Sequence, residues 1–369
     1  MIGSGRDARH GLARAREIID EDVAEIVGRL GPKLGTISGA TILVTGASGM
    51  FGGYIADVAA ALDRFGLVRT PCTLYLATRT APKAGGRLDH LIDLPNVHFV
   101  VGDPLAVGAL PSRADLIIHA ASPASPQDYL ADPVGTLDAN SRYLRSLLEL
   151  ARTSGAAGFL YVSSSEIYGS PPPEAIPTPE TYAGIIDPLS ARASYSEGKR
   201  FGEALCMAYH RQHALPVSII RPFHVHGPGL RLDDGRIIAE LIQAGLRGEQ
   251  FTLSSDGSAT RCYGYVRDAT AAAYAALLQG RGEAFNIGVD SPETTILELA
   301  EVVADLMGTP PPRPSTLAAP HLVGAPSRSR PDLSKARAML GYEPQVGLRE
   351  GLSRTIAWHR ARSQPLETS

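Results

Sequence analysis

A tyrosine and a lysine lie four residues apart in the segment ASYSEGK, residues 193–199. Because residues four apart share one face of an α-helix, the side chains of Tyr195 and Lys199 are predicted to be neighbours. A lysine ammonium beside a phenol favours the phenolate and lowers the pKa of the phenol. The pair therefore predicts a general base, Tyr195, whose proton affinity is adjusted by Lys199.

A second polar stretch, SSSEIYG at residues 163–169, follows an apolar run that is typical of a buried strand. Taken alone, it fits either a polar loop or an active site at the carboxyl end of a parallel strand, where open α/β sheets bind their ligands. It lies between a glycine-rich loop and the helix of Tyr195 and Lys199, and this position favours the active site.

The glycine-rich loop is part of residues 41–52, which read TILVTGASGMFG. A strand, the pattern G-x-x-G-x-x-G and an alanine-rich helix follow one another there. Glycine lets the backbone approach a pyrophosphate closely, and a helix N-terminus offers free N–H groups. In this context the motif predicts a dinucleotide site. Its candidate cofactor-binding residues are Gly46, Ser48, Gly49, Met50, Phe51 and Gly52.

The end of the second predicted strand bears on which dinucleotide is bound. An acid there would hold the adenosine ribose of NAD, but residues 74–79 read LYLATR and end in Arg79. Two interpretations of Arg79 stay open, contact with the 2′-phosphate of NADP and a solvated surface arginine. Asp103, after the third strand, is a candidate for the adenine edge or for a helix N-cap.

Composition restricts the classes of function. The chain has 369 residues, 44% of them hydrophobic and 20% charged, and a net charge of -3. This balance argues against nonspecific nucleic-acid binding, and no run of about 18 apolar residues predicts a membrane span. Three widely spaced cysteines, Cys72, Cys206 and Cys262, argue against a disulfide scaffold or a zinc site. We expect a cytoplasmic protein that binds no metal, nucleic acid or membrane.

Short apolar runs alternate with helical patterns from Thr41 onward, which predicts an α/β fold with a Rossmann-type doubly wound parallel sheet. Residues 1–39 are predicted to be an N-terminal helical extension, 40–226 the NAD(P)-binding Rossmann domain, and 227–369 mainly a smaller C-terminal substrate-binding lobe. The predicted strands are 41–45, 73–78, 97–101, 116–119, 159–163, 217–221 and 284–287, the last returning to the main sheet. The main predicted helices are 52–65, 133–153, 195–213, 237–247, 295–307 and 333–340.

From about residue 41 to residue 352 the chain resembles the extended short-chain dehydrogenase/reductases, in the NAD-dependent epimerase/dehydratase family. Within them it is most similar to the UDP-glucuronate decarboxylases, also called UDP-xylose synthases. The matching stretches are HAASPASP (119–126), SSSEIYG (163–169), RASYSEGKR (192–200), DDGR (233–236) and GSATR (257–261).

The resemblance implies a nucleotide-sugar enzyme with tightly held NAD that oxidises the sugar transiently at C4. Tyr195 would take the proton of the 4-hydroxyl, Lys199 would hold the nicotinamide ribose, and Ser164 would hydrogen-bond the 4-oxygen. Glu166 would act at the far side of the sugar ring, and Arg261 would pair with the diphosphate. The resemblance further implies Ala120, Ala121, Ser122 and Asn140 at the cofactor, and Ser165, Arg192, His224, Arg236 and Arg330 at the substrate.

Two departures from the family's pattern, and one residue that separates its members, bear on the substrate site. His224 stands in place of an asparagine that helps to seat the nucleotide-sugar, and the H-x-H pair it forms with His226 lacks an evident third metal ligand. Arg328 and Arg330 flank, one residue away on either side, the position of an arginine that holds the sugar carboxylate. Ser165 stands where sugar 4,6-dehydratases carry an aspartate, which favours decarboxylation or another reaction at C5.

We therefore expect decarboxylation of UDP-glucuronate to UDP-xylose or to its 4-keto pentose. The alternative enzyme is a nucleotide-sugar C4 or C5 epimerase, and the alternative from another class is a catalytically silent dinucleotide-binding regulatory protein. The helices predicted at 133–153 and 195–213 resemble those that pair across a two-fold axis in this superfamily, which implies a homodimer.

Overall fold

The computed structural model describes residues 4–103, 110–316 and 326–363, with side chains from His10 onward. Its strands are β1 (Thr41–Thr45), β2 (Thr73–Thr78), β3 (Val97–Val101), β4 (Leu116–His119), β5 (Gly158–Val162), β6 (Val217–Pro222), β7 (Val225–His226), β8 (Thr260–Arg261), β9 (Gly264–Tyr265), β10 (Glu283–Ile287), β11 (Thr294–Thr295) and β12 (Arg328–Ser329).

Helices surround these strands. They are α1 (Ser4–Leu30), α2 (Pro32–Gly35), α3 (Met50–Ala61), α4 (Pro126–Ala131), α5 (Pro133–Asp138), α6 (Leu144–Ser154), α7 (Ala193–His213), α8 (Ile237–Leu246), α9 (Val266–Gln279), α10 (Ile296–Met307), α11 (Ser334–Leu340) and α12 (Leu348–Arg362). None of the helices in the described ranges has the length and hydropathy needed to cross a membrane.

The central sheet has seven strands in the order β3-β2-β1-β4-β5-β6-β10. All neighbouring pairs are parallel, and β4 and β5 are buried along their whole length. The chain order reverses between β1 and β4, the place where doubly wound sheets open a crevice for a ligand. The predicted doubly wound α/β fold is confirmed, and the strand predicted at 284–287 pairs with β6 at the sheet edge.

The helix predicted at 133–153 is divided. A π-helical turn at Ala139–Tyr143 separates α5 from α6. Such turns insert one residue into a helix and often occur near functional sites. Asn140 lies inside this turn and directs its amide toward Ser122. The sequence pattern predicts one continuous helix over 133–153 and does not reveal this insertion.

The N-terminal helix α1 begins at Ser4, well before the apolar stripe that predicted it, and packs against α12, α9 and α3. The Asp22 carboxylate is completely buried in this interface. It accepts hydrogen bonds of 2.7 Å from the hydroxyls of Tyr54 on α3 and Tyr265 on β9. Nη2 of Arg354 on α12 lies 2.9 Å from the same carboxylate. One acid on α1 therefore joins a helix of the glycine-loop region to the C-terminal part of the chain.

Candidate active site

The glycine loop is packed too closely for side chains. Gly46 has a φ of +71°, and a Cβ there would lie 2.7 Å from the carbonyl of Ala120 at the end of β4. A Cβ at Gly52 would lie 2.3 Å from the carbonyl oxygen of Gly46. Gly49 is the N-cap of α3, and within the described residues no side chain caps this helix end. The first turn of α3 therefore presents free N–H groups, which suit a phosphate.

A second wall faces the glycine loop at the carboxyl end of β4. Ala120, Ala121 and Ser122 follow this strand, and each is half-buried. Asn140 donates hydrogen bonds of 2.9 Å to the Ser122 hydroxyl and to the carbonyl of Thr136. It also accepts a hydrogen bond of 2.8 Å from the Tyr161 hydroxyl. Because its amide is fully engaged, Asn140 contributes to this wall by holding Ser122.

Helix α7 brings Tyr195 and Lys199 to the same edge of the sheet. Both side chains are buried. Lys199 donates a hydrogen bond of 2.7 Å from Nζ to the carbonyl of Val162, the last residue of β5. Its Nζ lies 5.9 Å from the centre of the Tyr195 ring. The spacing of the two residues thus places them together, as the helical period predicts.

The proton affinities of this pair differ from the expectation drawn from spacing alone. Burial raises the pKa of Tyr195 to about 12, against the opposing effect of a hydrogen bond with Ser164. Burial likewise lowers the pKa of Lys199 to about 7, opposed first by the charge of Glu203. Desolvation is the largest influence on both groups, and it disfavours both charged forms. Burial of the pair therefore opposes the phenolate that the spacing predicts.

The polar stretch after β5 forms a 3₁₀ turn, Ser165–Tyr168, capped by Ser164. The Ser164 hydroxyl accepts a hydrogen bond of 3.2 Å from the backbone N–H of Glu166. Glu166 forms an ion pair of 2.7 Å with Nη2 of Arg192, which immediately precedes α7. Ser164 thus lies beside Tyr195, while Glu166 is directed to Arg192.

A cavity opens beside the turn, and five of the seven predicted substrate-binding residues line it. It contains the carboxylate of Glu166 and two cations that are only partly exposed, Arg192 and Arg261. Arg261 is held by hydrogen bonds to the carbonyls of Thr260 at 2.7 Å and Pro326 at 2.5 Å. The lining residues are Ser165, Glu166, Tyr168, Gly169, Pro171, Thr178, Arg192, Phe223, His224, Arg261, Pro326 and Ser329.

His224 reaches this cavity from an unusual backbone conformation, with a φ of +43°. Its Nε2 lies 3.0 Å from the hydroxyl of Ser329. Burial lowers the pKa of His224 to about 3, and the charges of Arg261 and Arg236 act in the same direction. His224 is therefore a neutral hydrogen-bonding group. His226 contacts Thr355 instead, and the described residues contain no group of three metal-ligating side chains.

Arg330 and Arg236 have other partners. Arg330 lies 3.4 Å from Glu293, which also binds Arg328, and Arg330 is absent from the described cavity lining. Successive residues of an extended segment point in opposite directions, so Ser329 faces the cavity and the arginine on either side of it does not. The contact of Arg330 with the substrate stays a prediction, and in this structure its partner is Glu293. Arg236 pairs with Asp234, and its charge acts on Tyr195.

The two candidates for the adenosine side lie on the surface. Arg79 directly follows β2 and Asp103 follows β3, and both are exposed. They occupy the carboxyl edge of the same sheet as the glycine loop, as their positions in the sequence predict. Residues 104–109, next to Asp103, lie outside the described ranges.

Sequence reasoning did not identify the residues that support the polar turn. Ser163 donates a hydrogen bond of 2.5 Å to Glu203, and Tyr168 accepts one of 2.7 Å from Arg221. Glu203 follows Lys199 by one helical turn, and this spacing is the one signal that could have indicated it. Arg221 is far from both in the sequence and gives no such signal.

The residues present fit a dinucleotide. The closely packed glycines expose backbone N–H groups and the N-terminus of α3 at the carboxyl end of β1. A pyrophosphate would bind there. Lys199, on α7 with Tyr195, reaches the carboxyl end of β5. This strand is separated from β1 by β4, on the far side of the point where the strand order reverses. The fit rests on residues 46–52, 120–122, 195 and 199, which the sheet brings to one edge.

Comparison with known proteins agrees with this arrangement. Residues 42–288 match the NAD dependent epimerase/dehydratase family. The chain is 34% identical over 336 residues to UDP-glucuronic acid decarboxylase 1 of Danio rerio, covering 88% of this chain and 75% of the relative. It is 35% identical over 321 residues to UDP-glucuronic acid decarboxylase 1 of Arabidopsis thaliana, covering 87% and 70%.

A solved structure is similar as well. It is the UDP-glucuronic acid 4-epimerase of Bacillus cereus in complex with UDP-glucuronic acid and NAD, with a TM-score of 0.72 and 25% identity. The alignment covers 87% of this chain and 99% of that one. The match over residues 42–288 spans the glycine loop, the polar turn and the helix of Tyr195 and Lys199. The chain is thus a member of the NAD dependent epimerase/dehydratase family, with NAD as its cofactor.

Proposed function

We propose that the protein decarboxylates UDP-glucuronate through transient oxidation at C4, giving UDP-xylose or its 4-keto pentose. The observation that carries this proposal is the position of the polar turn. Ser164, at its start, lies against Tyr195, whereas Glu166, two residues later, opens into a cavity with two arginines. Relatives about 34% identical over most of the chain carry the name UDP-glucuronic acid decarboxylase, which supports the same substrate.

Tyr195 is the proposed base for the sugar 4-hydroxyl. NAD, when bound, supplies the hydride acceptor and donor at C4. Lys199 lies beside the phenol and, as its ammonium form, stabilises the phenolate. The hydroxyl of Ser164 hydrogen-bonds the oxygen on C4 and stabilises it as its bonding changes. Tyr195 and Ser164 both act at the oxygen on C4 in this proposal. This fits the position of Ser164, which follows β5 and lies beside Tyr195 of α7.

The carboxylate would leave from the opposite side of the ring. Oxidation at C4 makes a β-keto acid, and its C5–carboxylate bond breaks as CO2 forms, with the electron pair delocalised onto the C4 ketone. Glu166 is proposed to act on this side, where a proton taken up from water replaces the departed CO2 at C5 before hydride returns to C4. Arg192 holds Glu166, and Arg261 adds a positive charge suited to the diphosphate. In this proposal Tyr195 and Ser164 act at the oxygen on C4, and Glu166 acts at C5.

A second candidate is a nucleotide-sugar C4 or C5 epimerase. The structural similarity to a UDP-glucuronic acid 4-epimerase favours it, since that enzyme acts on the same substrate by its printed name. The position of Glu166 in the cavity with Arg192 and Arg261 favours decarboxylation.

One experiment separates the candidates. The purified protein is incubated with UDP-glucuronate while CO2 release and the sugar's NMR spectrum are followed. CO2 together with a pentose or 4-keto pentose supports decarboxylation, and an epimer of intact mass supports epimerisation. If UDP-, dTDP- and GDP-sugars all stay unchanged while NAD binds, the enzyme proposal fails and a silent dinucleotide-binding regulatory protein is left.

A homodimer is part of the proposal. Val134 and Leu137 on α5 are 69% and 42% exposed, and Phe201 on α7 is 52% exposed. The two helices pack against each other, so these apolar side chains fit a second copy related by a two-fold axis. Light scattering should give a molar mass of twice that of the monomer. Phe201→Glu should reduce the measured mass to that of the monomer.

A cytoplasmic location is also proposed. Cys72, Cys206 and Cys262 are free and buried, which fits a reducing compartment. Fractionation of cells that produce the protein tests this, and recovery from an oxidising compartment would contradict it.

A further inference from the structure

The turn that carries Ser164 and Glu166 is held at both of its ends by buried hydrogen bonds. Before it, the Ser163 hydroxyl donates a hydrogen bond of 2.5 Å to Oε1 of Glu203. At its far end, the Tyr168 hydroxyl accepts a hydrogen bond of 2.7 Å from Nη1 of Arg221 and donates one of 2.7 Å to Oδ1 of Asn286. The hydroxyls at positions 163 and 168 are therefore both engaged by buried partners.

Glu203 and Arg221 are themselves paired. Nε of Arg221 donates 2.9 Å to one carboxylate oxygen and Nη2 donates 2.6 Å to the other. The two side chains are only 11% and 12% exposed. A bidentate pair of this kind fixes orientation as well as distance. Because one pair contacts Ser163 and Tyr168, it holds the turn from both sides.

The same pair reaches the neighbouring parts of the site. Glu203 lies on α7, one helical turn after Lys199, and its charge is the strongest one acting on that amine. Arg221 also donates 3.0 Å to the carbonyl of Glu180. The amide of Asn286 donates 2.9 Å to the carbonyl of Thr178, a residue of the cavity wall. The turn, the catalytic helix and the wall thus share one buried network.

We propose that Glu203 and Arg221 are positioning residues, which hold Ser164 against Tyr195 and Glu166 toward the cavity by fixing both ends of the turn. The kinetic part of this proposal rests on the function proposed above, whereas its structural part does not. The ion pair fixes the turn through its hydrogen bonds to the hydroxyls of Ser163 and Tyr168.

Two mild substitutions test the proposal, because removing Glu203 or Arg221 would leave a buried charge and endanger folding. Tyr168→Phe and Ser163→Ala each release one end of the turn. The matched control is Tyr342→Phe, since the Tyr342 hydroxyl is also buried and donates 2.7 Å to a carbonyl, that of Gly288. Hydrogen exchange of the peptide 163–169, NAD affinity, kcat and KM are measured for all three variants and the unmodified protein.

We expect faster exchange at 163–169 and a kcat lowered about tenfold in Tyr168→Phe and Ser163→Ala, with NAD affinity unchanged. Tyr342→Phe should show neither effect. Unchanged exchange or unchanged kcat in both test variants overturns the proposal, and so does an equal loss of kcat in the control. If the unmodified protein does not act on UDP-glucuronate, the proposed function fails, and the exchange measurement alone decides whether the pair holds the turn.

Discussion

The phenol rings of Tyr129 and Tyr195 are stacked, with centroids 5.1 Å apart and planes inclined by 12°. Tyr129 lies on α4 and covers the ring of Tyr195, which is 6% exposed. This cover is part of the burial that raises the pKa of Tyr195. It also means that a phenylalanine at position 195 would keep the ring contact and lose the hydroxyl alone.

Tyr195→Phe should therefore remove turnover without disturbing the fold. General acid–base catalysis contributes about 10²- to 10⁴-fold to a rate, so we expect kcat to fall by at least that factor. NAD affinity, measured by titration, should stay within about twofold, because the ring and Lys199 are both retained. Normal turnover in this variant would refute the assignment of Tyr195 as the base.

Glu166→Gln tests the chemistry at C5. The amide keeps the size of the side chain and loses the charge that pairs with Arg192 at 2.7 Å. We expect CO2 release to fall by about 100-fold or more, while binding of the nucleotide-sugar, measured by calorimetry, is largely kept. Asp187→Asn is the control, because that carboxylate is exposed and accepts a hydrogen bond of 2.9 Å from the Leu189 N–H of its own loop. CO2 release at the normal rate would exclude a role for Glu166.

The lysine predicts opposite pH trends for activity and stability. Because the pKa of Lys199 is lowered to about 7, its ammonium form is lost as the pH rises through about 7. We expect kcat/KM, which reports the free enzyme, to decline above that pH. Between about 7 and the unfolded value of 10.5, the unfolded chain binds more protons at this site. The contribution of Lys199 to the free energy of unfolding should therefore rise with pH.

Lys199→Met is the comparison for both trends. Subtracting its pH profile of unfolding free energy from that of the unmodified protein isolates the contribution of the lysine. A kcat/KM profile that stays flat from about pH 6 to 9, across the titration range expected for a lysine shifted in this way, would contradict the prediction.

Gly52→Ala should prevent cofactor binding. The new Cβ would lie 2.3 Å from the carbonyl oxygen of Gly46, and neither backbone segment can move without opening the loop. We expect NAD affinity to fall by about 100-fold or more, because a displacement of the loop removes several hydrogen bonds at once. Gly28→Ala is the control, since nothing lies within 4 Å of a Cβ there. That change should raise the free energy of unfolding by about 0.5–1 kcal/mol. Equal NAD affinities in the two variants would contradict the packing of the loop.

Asp22→Ala should weaken the docking of α1. It leaves the guanidinium of Arg354 and two tyrosine hydroxyls without their carboxylate. Breaking a buried pair in this way costs about 3–5 kcal/mol of unfolding free energy. Glu17→Ala removes the exposed pair with Arg14 and should cost less than about 1 kcal/mol. Urea denaturation measures both, and similar losses in the two variants would show that Asp22 has no special part in the interface.

The fold could be predicted from the sequence because each strand of the central sheet is a short apolar run. Such a run can be recognised from a few consecutive residues. The Tyr195–Lys199 pair and the glycine loop were equally accessible, since helical period and glycine spacing act over a few residues. The partners of Asp22 lie 32 and 243 residues away, and Arg221 lies 18 residues from Glu203 on another element. No periodicity connects such residues. Their meeting depends on strand order and on how the helices dock.

The docking of α1 on α12 has a consequence for how the chain is made. During synthesis α1 leaves the ribosome long before α12, so its apolar stripe, which includes Ile18, Val23 and Ile26, cannot be fully covered until residues 348–362 have emerged. A nascent chain interrupted before Leu348 would carry an exposed hydrophobic surface that chaperones and proteases recognise. The apolar face of α1 is thereby protected only after α12 has been made.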